Sequence, residues 1–376
     1  MFKKKFVYVL SFLIFAVFTI FFGFSSGSTV SPNMLSVANG SACPDFFEKV
    51  VDFFKGGLKK EEAVAPIVEE SVYVSGYPIG FSIETNGVVV VSLGEIYTNN
   101  GYVESPSKKA GIKEGDIIVM VEDSKVSGSD DLINAVNEIV KHKSTVNITL
   151  NRNGEERVVV VEPYLDDLAN AYRLGLWVRD SAIGVGTLTY IKKDGTFGAL
   201  GHPVTDADTN TIMPVGNGKI YRCSIIDVKK GVKGAPGELK GLFLKSSSEI
   251  GIINENKQNG IGGKFCDQDD VQKYTYKEVG ILSPNKVKAG KVKVISTIDG
   301  GMPSEYDAEI IKTNYAVSGG AKCMVIKITD SRLLSETGGI VQGMSGSPVV
   351  QDGKLIGCIT HVFINDPTKG FVEYIV

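Results

Sequence analysis

A chain of 376 residues, 43% hydrophobic and 22% charged, has room for two well-buried cores and is too long for a single small domain. Its formal net charge of -3 excludes the strong basic bias expected of a nucleic-acid-binding protein. Only 3 histidines occur, His142, His202 and His361, so any imidazole chemistry has few candidates.

Lys3-Lys4-Lys5 precede an almost unbroken apolar run from Phe6 to Phe24. Nineteen residues just cross a bilayer core as a helix, and the leading positive charges place the start in the cytoplasm. The expectation for residues 1–24 is therefore a signal or anchor segment, with the rest of the chain exported. The Ser/Gly/Pro/Asn-rich stretch after Ser25 reads as a spacer, and 44–68 as a short interrupted helix, giving a linker over 25–70. Cys43 lies too far beyond the apolar run, without an aliphatic residue three positions earlier, to be a lipidated N-terminal cysteine. An odd, scattered set of five cysteines gives no disulfide framework, and Cys358 on an apolar run reads as a small buried residue.

Over 71–164, strand-like runs at Val72-Tyr73-Val74, Ile79–Ile83 and Gly87–Val91 precede Ser105-Pro106-Ser107-Lys108-Lys109-Ala110-Gly111-Ile112-Lys113-Glu114-Gly115-Asp116-Ile117-Ile118. That stretch predicts a helical turn, a glycine exit and a buried strand. Ser129 is placed to cap a helix whose apolar positions Leu132, Ile133, Val136, Ile139 and Val140 follow a 3.6-residue period. Val146, Ile148 and Leu150 alternate, and Asn153-Gly154 turns the chain into a partner strand. This block resembles a PDZ domain. The resemblance implies that a peptide adds as a strand beside Tyr77, Pro78, Ile79, Gly80 and Phe81, although Pro78 removes one donor from a carboxylate-binding loop.

Leu165 to Tyr172 reads as a short polar connection into a second unit, 165–376, rich in Gly, Val, Ile, Thr and Lys. Its short runs separated by glycine or asparagine turns predict an all-β barrel or sandwich. Within it, Gly343-Met344-Ser345-Gly346-Ser347-Pro348 precedes an apolar–turn–apolar strand pair. Glycines close on both sides of Ser345 permit a tight turn that aims backbone N–H groups at a developing oxyanion, with Gly343 and Ser345 as the donors. Ser347 is the rival nucleophile, disfavoured by the backbone restriction before Pro348. His202, after the strand-like Gly198-Ala199-Leu200, is the candidate general base, with His361 as a rival more suited to a cleft wall. His142, between two lysines, reads as solvated. Asp206, Asp208 and Asp330 are the candidate orienting carboxylates, and spacing does not choose among them. No pair of histidines or cysteines has metal-ligand spacing, so neither a metal nor another cofactor is expected.

From about Gly175 to the end the sequence resembles the SpoIVB-type serine peptidase of stage IV sporulation. The resemblance rests on Arg179–Thr189, Gly198–His202, and Ile328-Thr329-Asp330 through Gly343–Pro348 to Thr360–Phe363. It implies a mostly β architecture, a PDZ domain followed by a chymotrypsin-like double β-barrel peptidase after an N-terminal transmembrane helix. Carried over by position, the catalytic set is His202, Asp330 and Ser345. The implied activity is that of a serine endopeptidase, anchored at first through its N-terminal helix and exported to the space between forespore and mother-cell membranes. It would cleave itself and a membrane-bound regulator of an intramembrane protease, signalling at the sigma-K checkpoint. The alternatives are a PDZ adaptor on a degenerate barrel and a broad quality-control protease.

Overall fold

The computed structural model describes residues 71–243, 249–316 and 322–375. The expected anchor and linker, 1–70, lie outside the described residues; among the described ones, no helix is long and apolar enough to cross a membrane.

In chain order the principal strands begin with β1 (Ser71–Val74), β2 (Pro78–Leu93), β3 (Ile117–Val121), β4 (Val146–Arg152) and β5 (Glu155–Val161). Next come β6 (Leu176–Ile191), β7 (Thr196–Ala199), β8 (Asn217–Arg222), β9 (Ser224–Lys229) and β10 (Glu238–Leu242). β11 (Glu249–Lys257), β12 (Gly260–Phe265), β13 (Lys277–Ile281), β14 (Gly290–Ser296) and β15 (Ser304–Ala316) follow. The last four are β16 (Lys322–Ile328), β17 (Pro348–Gln351), β18 (Lys354–Phe363) and β19 (Asp366–Tyr374). The helices are short: α1 (Pro106–Lys109), α2 (Ser129–Ile139), α3 (Gln268–Lys273) and α4 (Ser331–Thr337).

Pairing closes two rings. β2, β6, β7, β12, β11 and β8 join in that order and return to β2. β14, β15, β16, β19, β18 and β17 close in the same way. Each ring has its own apolar core. Ile79, Ile83, Leu188, Ile220 and Ile250 fill the first, and Val294, Ile310, Ile326, Val349 and Ile359 the second, all 0% exposed. Burying each such side chain contributes roughly 1.5–3 kcal/mol before conformational entropy offsets it. β1 and β13 lie between the rings, β1 pairing with β6 and β13, and β13 running parallel to β18.

The third core belongs to a PDZ-like sheet. β3 pairs with β2 and β4, and β4 pairs with β5. Val88, Val90, Ile118, Val146, Ile148 and Leu150 are fully buried there, with Leu132 and Val136 of α2 packed on them. The expected alternation in β4 and the expected apolar face of α2 are both present. The cap on α2 comes from elsewhere: Ser129 is its first helical residue, and the Asp180 carboxylate accepts from Ser129 N–H at 3.0 Å and Ser129 Oγ at 2.7 Å.

Sheet pairing draws the division between units differently from the expected boundaries of 71–164 and 165–376. β1 and the first half of β2 are barrel strands. Instead of two short strands, β2 is one 16-residue strand that leaves the barrel near Gly87 and enters the PDZ-like sheet. Gly87 has φ +112°, and a Cβ there would stand 2.7 Å from the Ile118 carbonyl oxygen, so no side chain fits at the crossover. β6, also 16 residues, makes the return journey, pairing with β2 from Leu176 opposite Leu93 to Thr187 opposite Pro78. The predicted polar connection 165–172 is a hairpin of the PDZ-like unit, with Asp167 N–H donating to the Tyr97 carbonyl at 2.9 Å.

The PDZ-like unit is thus an insertion into the first ring. Replacing residues 88–178 by a short Asn-Gly turn should leave a chain that unfolds cooperatively in urea with native near-UV dichroism. A fragment beginning at residue 165, which lacks β1 and β2, should not fold. The reverse pattern would refute the insertion.

Candidate active site

Two left-handed residues, Leu200 (φ +70°) and Gly201 (φ +71°), turn the chain off the end of β7 and bring His202 to the rim of the first ring. The His202 Nδ1 atom lies 2.9 Å from the Pro203 carbonyl. Two side-chain clamps hold the loop that follows. Asn256 of β11 accepts from Val204 N–H at 2.9 Å and donates to the carbonyls of Val204 and Met213 at 2.7 and 2.9 Å. Arg179 of β6 reaches the buried carboxylate of Asp206 and bonds Asp208 at 2.9 Å.

Ser345 is presented by the tight turn its neighbours predict. Gly343 and Gly346 have φ of +94° and +96°, and Met344 and Ser347 on the inner side of the turn are 0% exposed. A Cβ on Gly346 would lie 2.0 Å from the Thr187 carbonyl oxygen, a clash no rotamer relieves. Three bonds fasten the turn to β6: Thr187 N–H to Ser345 O at 2.9 Å, Thr187 Oγ1 to Gly343 O at 2.8 Å, and Thr189 Oγ1 to Gly346 O at 2.7 Å. Among the described residues the N–H groups of Gly343 and Ser345 donate to no acceptor, leaving the two expected oxyanion donors unclaimed. Ser347 is excluded as a nucleophile, since its hydroxyl is buried against Ser296 Oγ at 3.1 Å.

His202 and Ser345 line one cleft of about 640 Å³ between the rings, with Ile183 and Val185 of β6 on one wall and Val341 and Val362 on the other. The Ser345 hydroxyl donates to the Thr360 carbonyl at 2.8 Å and not to His202. His361 also lines the cleft, its ring centroid 5.1 Å from that of His202. Desolvation by the cleft walls, with the neighbouring His202, holds the His361 pKa below the ordinary imidazole value. His142 is solvent-exposed, as expected. Cys358 is buried and its thiol pKa is pushed up to about 12 by desolvation, which suits packing and not chemistry.

The structure does not bring the expected carboxylates to the imidazole. Asp330 is the N-cap of α4, with its side chain accepting from Leu333 N–H at 3.0 Å and from Asp307 N–H at 3.2 Å. Those bonds outweigh desolvation and hold its pKa below the usual carboxylate value. Asp206 turns toward Arg179 and its own loop, and Asp208 is an exposed partner of the same arginine.

The peptide-binding segment expected at Tyr77–Phe81 is also corrected. Pro78, Ile79, Gly80 and Phe81 pair with Thr187, Gly186, Val185 and Gly184 of β6, and Ile79–Phe81 pair with Arg222–Ile220 of β8. With both edges taken, no peptide strand can add there. A groove of about 430 Å³ lies instead between α2, with Leu132, Ile133 and Val136, and the segment Leu174-Gly175-Leu176-Trp177-Val178. Among the described residues, β6 pairs there with β2 on one side only. The apolar–glycine–apolar run Leu174-Gly175-Leu176 is a signal of the same kind as Ile79-Gly80-Phe81, hidden by its position after the expected domain end.

A family model described as SpoIVB peptidase S55 matches residues 170–376, and a PDZ domain model matches 78–162. No curated protein matches the chain. Among solved structures, the Rv3671c protease in an inactive form is 15% identical, covering 50% of this chain and 78% of that one, with a TM-score of 0.29. A serine-to-alanine mutant of Rv3671c from M. tuberculosis H37Rv, also inactive, is 13% identical, covering 51% and 76%, with a TM-score of 0.29. The PDZ domain of an SdrC-like protein from Listeria monocytogenes is 16% identical, covering 25% and 87%, with a TM-score of 0.19.

Replacing Asp330 by Ala should cost about 1 kcal/mol, the usual loss for an N-cap, while Asp330→Asn should retain most of the stability and of any peptidase activity. Urea midpoints and turnover on casein check this. A hundredfold loss of turnover in Asp330→Asn at unchanged stability would return the carboxylate to catalysis.

Proposed function

The chain belongs to the SpoIVB peptidase S55 family and is a serine endopeptidase that carries a PDZ domain; from this premise we propose how its residues carry the reaction. Ser345 is the nucleophile, His202 the general base, and the N–H groups of Gly343 and Ser345 the oxyanion hole. The observation supporting this most is that Ser345 and His202 face one cleft beside two unclaimed backbone donors.

The described geometry is a resting one. For attack, the Ser345 hydroxyl leaves the Thr360 carbonyl and turns to His202, which takes its proton as Oγ attacks the peptide carbonyl. The carbonyl oxygen becomes an oxyanion held by the two N–H groups, and losing one such donor typically costs ~10²–10³ in rate. His202 then delivers the proton to the leaving amine, and a water repeats the sequence to release the acyl group. Among the described residues, the edge of β6 from Ala182 to Gly186 pairs with no strand but β2, so an extended substrate can add along it. Ile183, Val185, Val341 and Val362 favour apolar substrate side chains.

The double-barrel peptidase acts, in this reading, as an exported and initially membrane-anchored signalling enzyme of sporulation. Its substrates are its own N-terminal stretch within Ser25–Val68 and a membrane-bound regulator of an intramembrane protease. The groove between α2 and Leu174–Val178 supplies peptide contacts that select them.

Intact-mass analysis of the full chain over time, beside Ser345→Ala and His202→Ala, tests the reading. The wild type should shorten at discrete N-terminal sites and react with a fluorophosphonate probe. Ser345→Ala should do neither, and His202→Ala should be slower by at least a thousandfold. An unprocessed, unlabelled wild type would sink the assignment.

A further inference from the structure

Among the described residues, no hydrogen bond joins the His202 ring to another side chain; its one ring neighbour in the cleft is His361, 5.1 Å away between centroids. The His202 Nδ1 faces the next residue's carbonyl, and the Asp330 carboxylate expected to orient it caps α4 instead. The ring's position is therefore set by the loop into which it leads, 203–213, and by whatever fixes that loop. Asp206, four residues beyond His202, is 1% exposed and fully committed. One of its oxygens accepts from Asp208 N–H at 3.1 Å, Thr209 N–H at 2.9 Å and Thr209 Oγ1 at 3.0 Å, which winds the loop around the carboxylate. The other accepts from Arg179 Nη1, while Arg179 Nη2 bonds Asp208 at 2.9 Å.

Burying a carboxylate against a half-exposed arginine is a poor device for stability alone, since apolar residues of similar volume often do as well as or better than a buried charge. What the pair supplies is direction. The planar guanidinium bridges two carboxylates of one loop and fixes that loop's position relative to β6. The same strand fastens the Ser345 turn through Thr187 and Thr189. Both halves of the site are thus referenced to one strand, the serine through hydroxyl and amide bonds and the histidine through an ion pair.

We propose that Arg179 and Asp206 are the positioning pair for His202, setting its distance from Ser345 by holding loop 203–213 to β6. This rests on the reading of His202 as the general base. The pair touches neither substrate nor reacting atoms, so its effect falls on the chemical step and not on substrate capture.

The test uses the full chain with a fluorophosphonate probe, separating the maximal labelling rate from the half-saturating probe concentration, together with melting temperatures. Arg179→Met combined with Asp206→Asn removes the pair without leaving a buried charge unpaired. It should lower the maximal rate at least tenfold, with the half-saturating concentration within twofold and melting within a few degrees. Arg179→Lys keeps the charge but cannot bridge both carboxylates, and should lose about threefold. If the double variant fails to fold, Arg179→Lys decides. Rates within experimental error of wild type, or a loss confined to the half-saturating concentration, overturn the proposal. Wild type that labels no better than Ser345→Ala overturns the peptidase reading itself, and the positioning claim falls with it; normal wild-type labelling with unaffected pair variants overturns the positioning claim alone.

Discussion

The antiparallel pairing of β2 with β6 is the constraint on which the rest of the molecule depends. Both strands are 16 residues long, and their register runs from the PDZ-like sheet at Leu93 and Leu176 to the first ring at Pro78 and Thr187. Most domain junctions are exposed linkers across which few contacts pass. Here two continuous strands cross the junction, with irregularities at Trp177–Val178 and Arg179–Ser181 where the sheet changes direction. Neither unit has a complete sheet without them.

That pairing also explains where functional surfaces can exist. In the barrel half, β2 is flanked by β6 and β8 and has no edge to offer. β6 differs: from Ala182 to Gly186 one edge faces the cleft, and near Leu176–Val178 one edge faces α2. A single strand therefore lends an open edge to each of the two places where an extended chain can lie. Between them it anchors the Ser345 turn, so the proposed nucleophile is held by the same backbone that would receive the substrate in that reading.

Much of this was legible in the sequence. The glycines around Ser345 predicted a tight turn, the alternation Val146–Leu150 predicted a strand, and the period of Leu132 and Val136 predicted the helix that packs on it. Local patterns state local geometry, and these hold. What they cannot state is which strand a run pairs with. Ile79-Gly80-Phe81 has the composition of a PDZ ligand strand, yet the first ring claims it on both edges, while Leu174-Gly175-Leu176 takes the place beside α2. Asp330 shows the same limit. An aspartate at the end of a strand and before Ser331-Arg332-Leu333 is also a helix N-cap, and the backbone N–H groups of Leu333 and Asp307 are nearer than any imidazole partner in the described structure. Asp180 went unnoticed because its partner, Ser129, is 51 residues away.

Arg179 and Asp180 make the physical argument for coupling between the two units. Successive side chains of a strand point to opposite faces, so neighbouring residues can serve two different elements. Arg179 holds the His202 loop, and Asp180 holds the first turn of α2 through Ser129. The Asp180 carboxylate accepts two hydrogen bonds from Ser129 that outweigh its desolvation and hold its pKa below the usual carboxylate value. A shift of β6 at this step would move α2 relative to its groove and the histidine loop relative to the serine turn. One of the strand's two register shifts lies at the same place, between Arg179 and Ser181. The two units therefore meet where side chains of β6 anchor both the helix and the histidine loop at an irregular step of its ladder.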